Sequence, residues 1–143
     1  MIAYLDTSAL LRIILNEKAT KVSLEVYTRI LGSELVRIEA LRRLGNMRLS
    51  GELSDAVVEQ ARAGLFEALS QMDIIKLTRA IFVRTADAFP LTIGTLDGMH
   101  LSSALIWKEK NEQEVVFLTH DRQLARVARA MDLQVEGDES LPR

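Results

Sequence analysis

The spacing of apolar positions changes along this chain, and the changes mark its elements. "IAYL" at 2–5 is a continuous apolar run ended by Asp6, and "EVVFLT" at 114–119 is a second run that leads into Asp121. Short runs of this kind suit strands buried on both faces of a parallel sheet. Elsewhere the spacing is helical. "ELVRIEALRRLGNMRL" at 34–49 carries Leu35, Ile38, Leu41 and Leu44 at helix intervals, which predicts a helix with one apolar side. Further helices are expected over Ser8–Leu15, Ala19–Ile30, Ser54–Leu69, 78–89, 95–110 and 121–133. Ser54 and Thr78 are suitable N-caps, and Gly51 and Pro90 are suitable stops. Leu31–Ser33, 72–77 and Gln134–Val135 read as short strands. Strands that alternate with helices predict an α/β fold, a three-layer domain on a mainly parallel central sheet. The sheet should have about 4–5 short strands, flanked by about 6–7 helices.

Composition adds limits. A chain of 143 residues with 48% hydrophobic and 27% charged residues fits one domain spanning 1–143. No repeat or Pro/Gly-rich linker divides it, and both prolines (Pro90, Pro142) fall at expected boundaries. No apolar run reaches the roughly 20 residues of a membrane helix. Asp6 interrupts the first apolar run too early for a signal peptide. The absence of cysteine excludes disulfides and thiolate metal sites and suits a reducing compartment, so the cytoplasm is the expected location. The net charge of −2 neither supports nor excludes a polyanionic substrate. With four acids set aside as cation ligands, the basic residues would be in the majority.

The candidate chemistry begins at the ends of the two strong strands. Asp6 follows the first and Asp121 the second, each with a hydroxyl two residues away, Ser8 and Thr119. Adjacent parallel strands would bring the two tips to one edge of the sheet, where open α/β folds build their sites. Each Asp has a plain structural reading as a helix N-cap. Two carboxylates in one crevice also repel, and either raise each other's pKa or recruit a cation. Oxygen ligands without Cys favour Mg²⁺ or Mn²⁺ over Zn²⁺. Two further acids, Glu39 in "SELVRIEALRR" and Asp97 in "GTLDGMHLSSAL", have small or apolar neighbours rather than charge runs. Such flanks suit an acid that faces an interior or a cleft.

At this point the chain resembles PIN-domain nucleases, and more narrowly the VapC-type toxins of bacterial and archaeal toxin–antitoxin pairs. The resemblance rests on "YLDTSALL", "SELVRIEALRR", "TLDGMHLSSAL" and "FLTHDRQLARVA", in that order and over nearly the whole chain. It implies a PIN-like fold in which Asp6, Glu39, Asp97 and Asp121 line one metal site and form the catalytic set. Ser8 and Thr119 would orient these carboxylates from behind. The implied activity is Mg²⁺- or Mn²⁺-dependent endoribonuclease cleavage of single-stranded or structured RNA of translation, with a cognate antitoxin as inhibitor. With two ions about 4 Å apart, one would activate a water and the other stabilise the leaving oxygen. A homodimer is also implied. Gly98 stands where such toxins often carry Ala, and His120 where Tyr, Ser or Pro is frequent. Neither change removes a carboxylate.

Other residues carry two readings each. His100 reads first as a packed, hydrogen-bonded histidine and second as a metal or proton-transfer group. His120 reads as a loop residue. Arg37, Arg42, Arg43 and Arg48, with Arg122, Arg126 and Arg129, are either phosphate contacts, Arg42, Arg43 and Arg122 foremost, or a solvated face with a Glu39–Arg43 i,i+4 pair. Met99 and Trp107 suit core or dimer contacts. Residues 8–30 read as a helix pair that either packs on the sheet or offers Ile13 and Tyr27 to an antitoxin segment laid in a groove. Alternatives in other classes are a non-toxin PIN nuclease of RNA processing and a PIN scaffold acting as an interaction module. A scaffold would be expected to lose one of the four acids, and none is lost. A receiver-type phosphoacceptor lacks its second acid and its strand-end Lys. A haloacid-dehalogenase phosphatase would need Asp where Ser8 stands.

Overall fold

The computed structural model describes residues 1–15 and 24–137. Its first half runs β1 (Ile2–Leu5), α1 (Thr7–Ile14), β2 (Arg29–Ser33), α2 (Leu35–Leu49), α3 (Asp55–Ser70) and β3 (Asp73–Ile75). The second half runs α4 (Arg79–Ala86), α5 (Thr95–Asn111), β4 (Val115–Leu118), α6 (Arg122–Ala130) and β5 (Gln134–Glu136). All five strands are parallel, in the order β3-β2-β1-β4-β5. β1 is central because each of its residues can be buried on either face: Ile2, Ala3, Tyr4 and Leu5 are all buried. Alternate side chains of a strand point to opposite faces. Ala3 and Leu5 accordingly join Leu10 of α1, Val36 and Leu44 of α2, and Val58 and Leu65 of α3 in one core. Ile2 and Tyr4 join Phe117 of β4, Leu101 and Leu105 of α5, and Leu124 and Val127 of α6 in the other. Two cores on one sheet give the three layers.

One expected element differs. Of the helix expected over Ala19–Ile30, residues 19–23 lie outside the described residues, as does Pro142. A 3₁₀ turn occupies Leu24–Val26, and β2 begins three residues later. Pairing with β1 decides this segment: Ala3 lies opposite Ile30 and Tyr4 opposite Leu31. A helical spacing of apolar residues yields where a half-formed sheet offers a ladder and a buried face. Tyr27, just before this strand, is buried in the first core, and its hydroxyl donates to Glu136 at 2.8 Å. Burial and that contact push its pKa up.

Capping fixes several boundaries. Ser54 accepts from the Val57 N–H at 3.3 Å, so Ser54→Ala should cost about 0.5–1 kcal/mol in chemical denaturation. Thr78 occupies the N-cap position of α4 without a side-chain cap bond. Gly98 has a packing reason: a Cβ there would lie 3.2 Å from Thr85 and from Phe89. Its lack of a side chain lets the α4 segment close onto the first turn of α5.

Candidate active site

Strand order reverses beside β1: β2 and β3 extend to one side, then β4 returns to the other. The carboxyl ends of β1 and β4 therefore flank the crevice where α/β sheets bind ligands. Asp6 caps α1 by accepting from the Ala9 N–H at 2.8 Å, and Asp121 caps α6 by accepting from the Leu124 N–H at 2.8 Å. The capping reading therefore holds for both residues, and it does not displace the site reading. Two hydroxyls tie the strand tips together. Ser8 Oγ donates to Asp6 Oδ1 at 2.7 Å and accepts from the His120 N–H at 3.2 Å. Thr119 Oγ1 donates to Asp6 Oδ2 at 2.5 Å and accepts from the Asp121 N–H at 3.0 Å. Each hydroxyl acts as donor to the first tip and acceptor from the second.

The other two acids come from helices. Asp97 stands in the first turn of α5, half-buried. Glu39 stands on α2, and its Oε1 accepts from Thr7 Oγ1 at 2.9 Å and meets His100 Nε2 at 2.6 Å. His100 is 1% exposed, and its Nδ1 lies 2.7 Å from the Tyr4 hydroxyl. Asp6, Glu39, Asp97 and Asp121 line one open cavity of about 670 Å³, with Thr7, Ser8, His100, Arg42 and Arg43. Ile38 and Leu96, 58% and 49% exposed, form apolar parts of its rim.

The charges act on one another. Burial raises the pKa of Asp97, and the negative charges of Asp121 and Asp6 push it further the same way. Burial also raises Asp6, against the bonds from Thr119, Ala9 and Ser8. Burial pushes Glu39 up too, but the His100 and Thr7 bonds, with the fields of His100 and Arg43, hold it below the usual carboxylate range. A raised acid favours the folded chain at low pH and loses that contribution as pH rises through its folded value. Asp6 and Asp97 should therefore make the protein, in chelator, more heat-stable as pH falls from neutrality into the range just above the ordinary carboxylate pKa. Glu39 opposes this only lower, as pH drops through its depressed value. A melting temperature that falls steadily over that interval would contradict these assignments.

The sequence pattern of the PIN domain matches residues 3–130. The chain belongs to the PIN domain family. No curated protein matches it by sequence. Among solved structures, this PIN domain is similar to VapBC2 from Rickettsia felis bound to a DNA fragment from their promoter. That match has TM-score 0.64 and 19% identity, covering 95% of this chain and 98% of that one. It is also similar to VapBC-1 from nontypeable Haemophilus influenzae, with TM-score 0.57, 16% identity, and coverage of 95% and 97%. A domain of a functionally unknown protein from Methanocaldococcus jannaschii gives TM-score 0.54 at 18% identity, over 99% of this chain and 94% of that one. At these identities the likeness is one of fold.

The donor set of this PIN domain fits a hard divalent cation, being four carboxylates with raised values at two of them. Among the described residues, however, no three His, Asp or Glu side chains stand close enough together to hold an ion. Asp6, Glu39 and Asp121 each accept hydrogen bonds from protein donors. The arginines sort by contact. Arg42 and Arg43 reach the cavity. Arg37 lies over the Phe66 ring at 5.5 Å, and Arg48 pairs with Asp55 at 3.1 Å. Arg122 is exposed on α6 and does not line that cavity. Sequence reasoning missed Tyr4 and Thr7 as members of the site. Thr7 follows Asp6 directly and was the available signal, whereas Tyr4 reads only as a core residue of β1.

Proposed function

We propose that this PIN domain is a metal-dependent endoribonuclease of the VapC toxin type, acting on single-stranded or structured RNA of the translation machinery and silenced by a cognate antitoxin. The observation that carries this reading is that four carboxylates, from four separate segments of the chain, line one open cavity with Arg42 and Arg43 on its wall. Asp6, Glu39, Asp97 and Asp121 would hold Mg²⁺ or Mn²⁺, which when bound supplies charge neutralisation and water activation for phosphodiester hydrolysis. Ser8 and Thr119 keep Asp6 aimed between the two strand tips. Arg42 and Arg43 attract backbone phosphates, and Arg122 extends the basic surface along α6. Ile38 and Leu96 offer apolar edges to bases that leave the stack.

The likeness to VapBC2 and VapBC-1 supports a partner protein. Ile13, half-buried on α1, suits a contact with an antitoxin segment better than Tyr27, which is turned into the core. A homodimer would set two such cavities along a shared basic groove. Among the described residues no helix is long and apolar enough to cross a membrane. Purified protein incubated with total RNA, followed by sequencing of new 5′ ends, tests the activity. Discrete cuts that need Mg²⁺ or Mn²⁺ and vanish in chelator are expected. Intact RNA across all metals, or cutting that survives chelator, would overturn the reading.

A further inference from the structure

Glu39 is a carboxylate, so it can only accept hydrogen bonds. His100 Nε2, at 2.6 Å from Glu39 Oε1, must therefore carry a hydrogen toward it. At its other nitrogen the ring is held by the Tyr4 hydroxyl, 2.7 Å from Nδ1. Tyr4 is itself fully buried. Its own ring is stacked on Phe117 with centroids 5.2 Å apart. The series Phe117, Tyr4, His100, Glu39 thus runs from the core of the sheet to the cavity, and the first three members are 0%, 0% and 1% exposed. Thr7 adds a second donor to the same Glu39 oxygen at 2.9 Å.

We infer that His100 is a positioning residue for the cavity: oriented by Tyr4, it anchors Oε1 of Glu39 and so presents Oε2 as the oxygen available to a divalent cation. This rests on the metal-site reading above and adds a role that the four acids alone do not have. A carboxylate on a helix has several rotamers, and one fixed by a buried imidazole loses none of its orientation when a cation arrives. A ring nitrogen already committed to Glu39 is also not a ligand itself. Supports of this kind are typically worth about 10- to 100-fold in metal affinity.

The test is Mn²⁺ binding to the full chain, read by electron paramagnetic resonance without RNA. His100→Leu should weaken binding about 10- to 100-fold, and His100→Gln, whose amide can replace the Nε2–H donor, should restore most of it. In a Glu39→Gln background, His100→Leu should cause no further loss, because the two act as one unit. Unchanged affinity in folded His100→Leu, or losses that simply add in the double variant, would overturn the inference. If His100→Leu does not fold, Tyr4→Phe keeps the stacked ring and frees Nδ1: weakened binding supports the role, and wild-type binding overturns it. Glu39→Gln alone separates the two layers. A wild-type Mn²⁺ affinity there would sink the metal-site reading itself, and the positioning role with it.

Discussion

Asp97→Asn should raise the melting temperature of the protein in chelator while removing its metal-dependent cleavage. The folded chain disfavours the Asp97 charge on two counts, burial and the like charges of Asp121 and Asp6. Among the described residues its carboxylate has no hydrogen-bond donor, so an amide there costs little. Relief of repulsion at a half-buried, solvent-screened site should raise the melting temperature by about a few degrees in a chain of this size. On the proposed metal-site reading the same change also removes a ligand, and cleavage should fall at least about 100-fold. Asp6→Asn should lack the thermal gain. Asp6 accepts from Ser8, Ala9 and Thr119, and an amide would present N–H groups to partners that donate. Scanning calorimetry and Mn²⁺ titration on both variants decide the matter. A destabilised Asp97→Asn with wild-type Mn²⁺ affinity would remove Asp97 from the site.

Thr119→Val should destabilise the protein by about 2–3 kcal/mol, although the two side chains have nearly the same shape. The hydroxyl donates to Asp6 Oδ2 and accepts from the Asp121 N–H. A methyl in its place leaves a buried carboxylate oxygen and a backbone donor unpaired together, and each unpaired group costs about 1–3 kcal/mol. Thr119→Ser keeps both bonds and should lose about 1 kcal/mol through the missing methyl. Denaturant titration separates the two variants. Equal losses would mean that the bridge contributes nothing beyond packing.

Much of this was legible in the chain itself, because several levels of signal agreed. β1 and β4 are pure apolar runs, and a strand buried on both faces leaves little other choice. Asp6 and Asp121 were visible because each stands where a strand must end and a helix begin. The segment before Leu31 misled because its helical spacing carries no information about the ladder waiting on β1. Ile38 misled in the opposite sense. Its position fits the apolar side of α2, yet it is 58% exposed at the cavity rim, a local breach of pattern of the kind expected at functional sites. The pairing of Tyr4 with His100 spans 96 residues and has no periodic trace at all. Only the folded sheet brings those residues together.

The place of β1 between β2 and β4 has a consequence for how the protein comes into being. The central strand β1 is synthesised long before its neighbour β4, with which it pairs Leu5 opposite Leu118. Until then β1 has one open edge of unpaired backbone groups and apolar side chains, a surface prone to wrong pairing. The Asp6 carboxylate lacks its Thr119 donor over the same period, and Asp121 is not yet in place. Long-range closure of this kind is slow relative to helix formation. The four acids therefore stand apart until the sheet closes, and the cavity they line is a product of that closure rather than of any one segment.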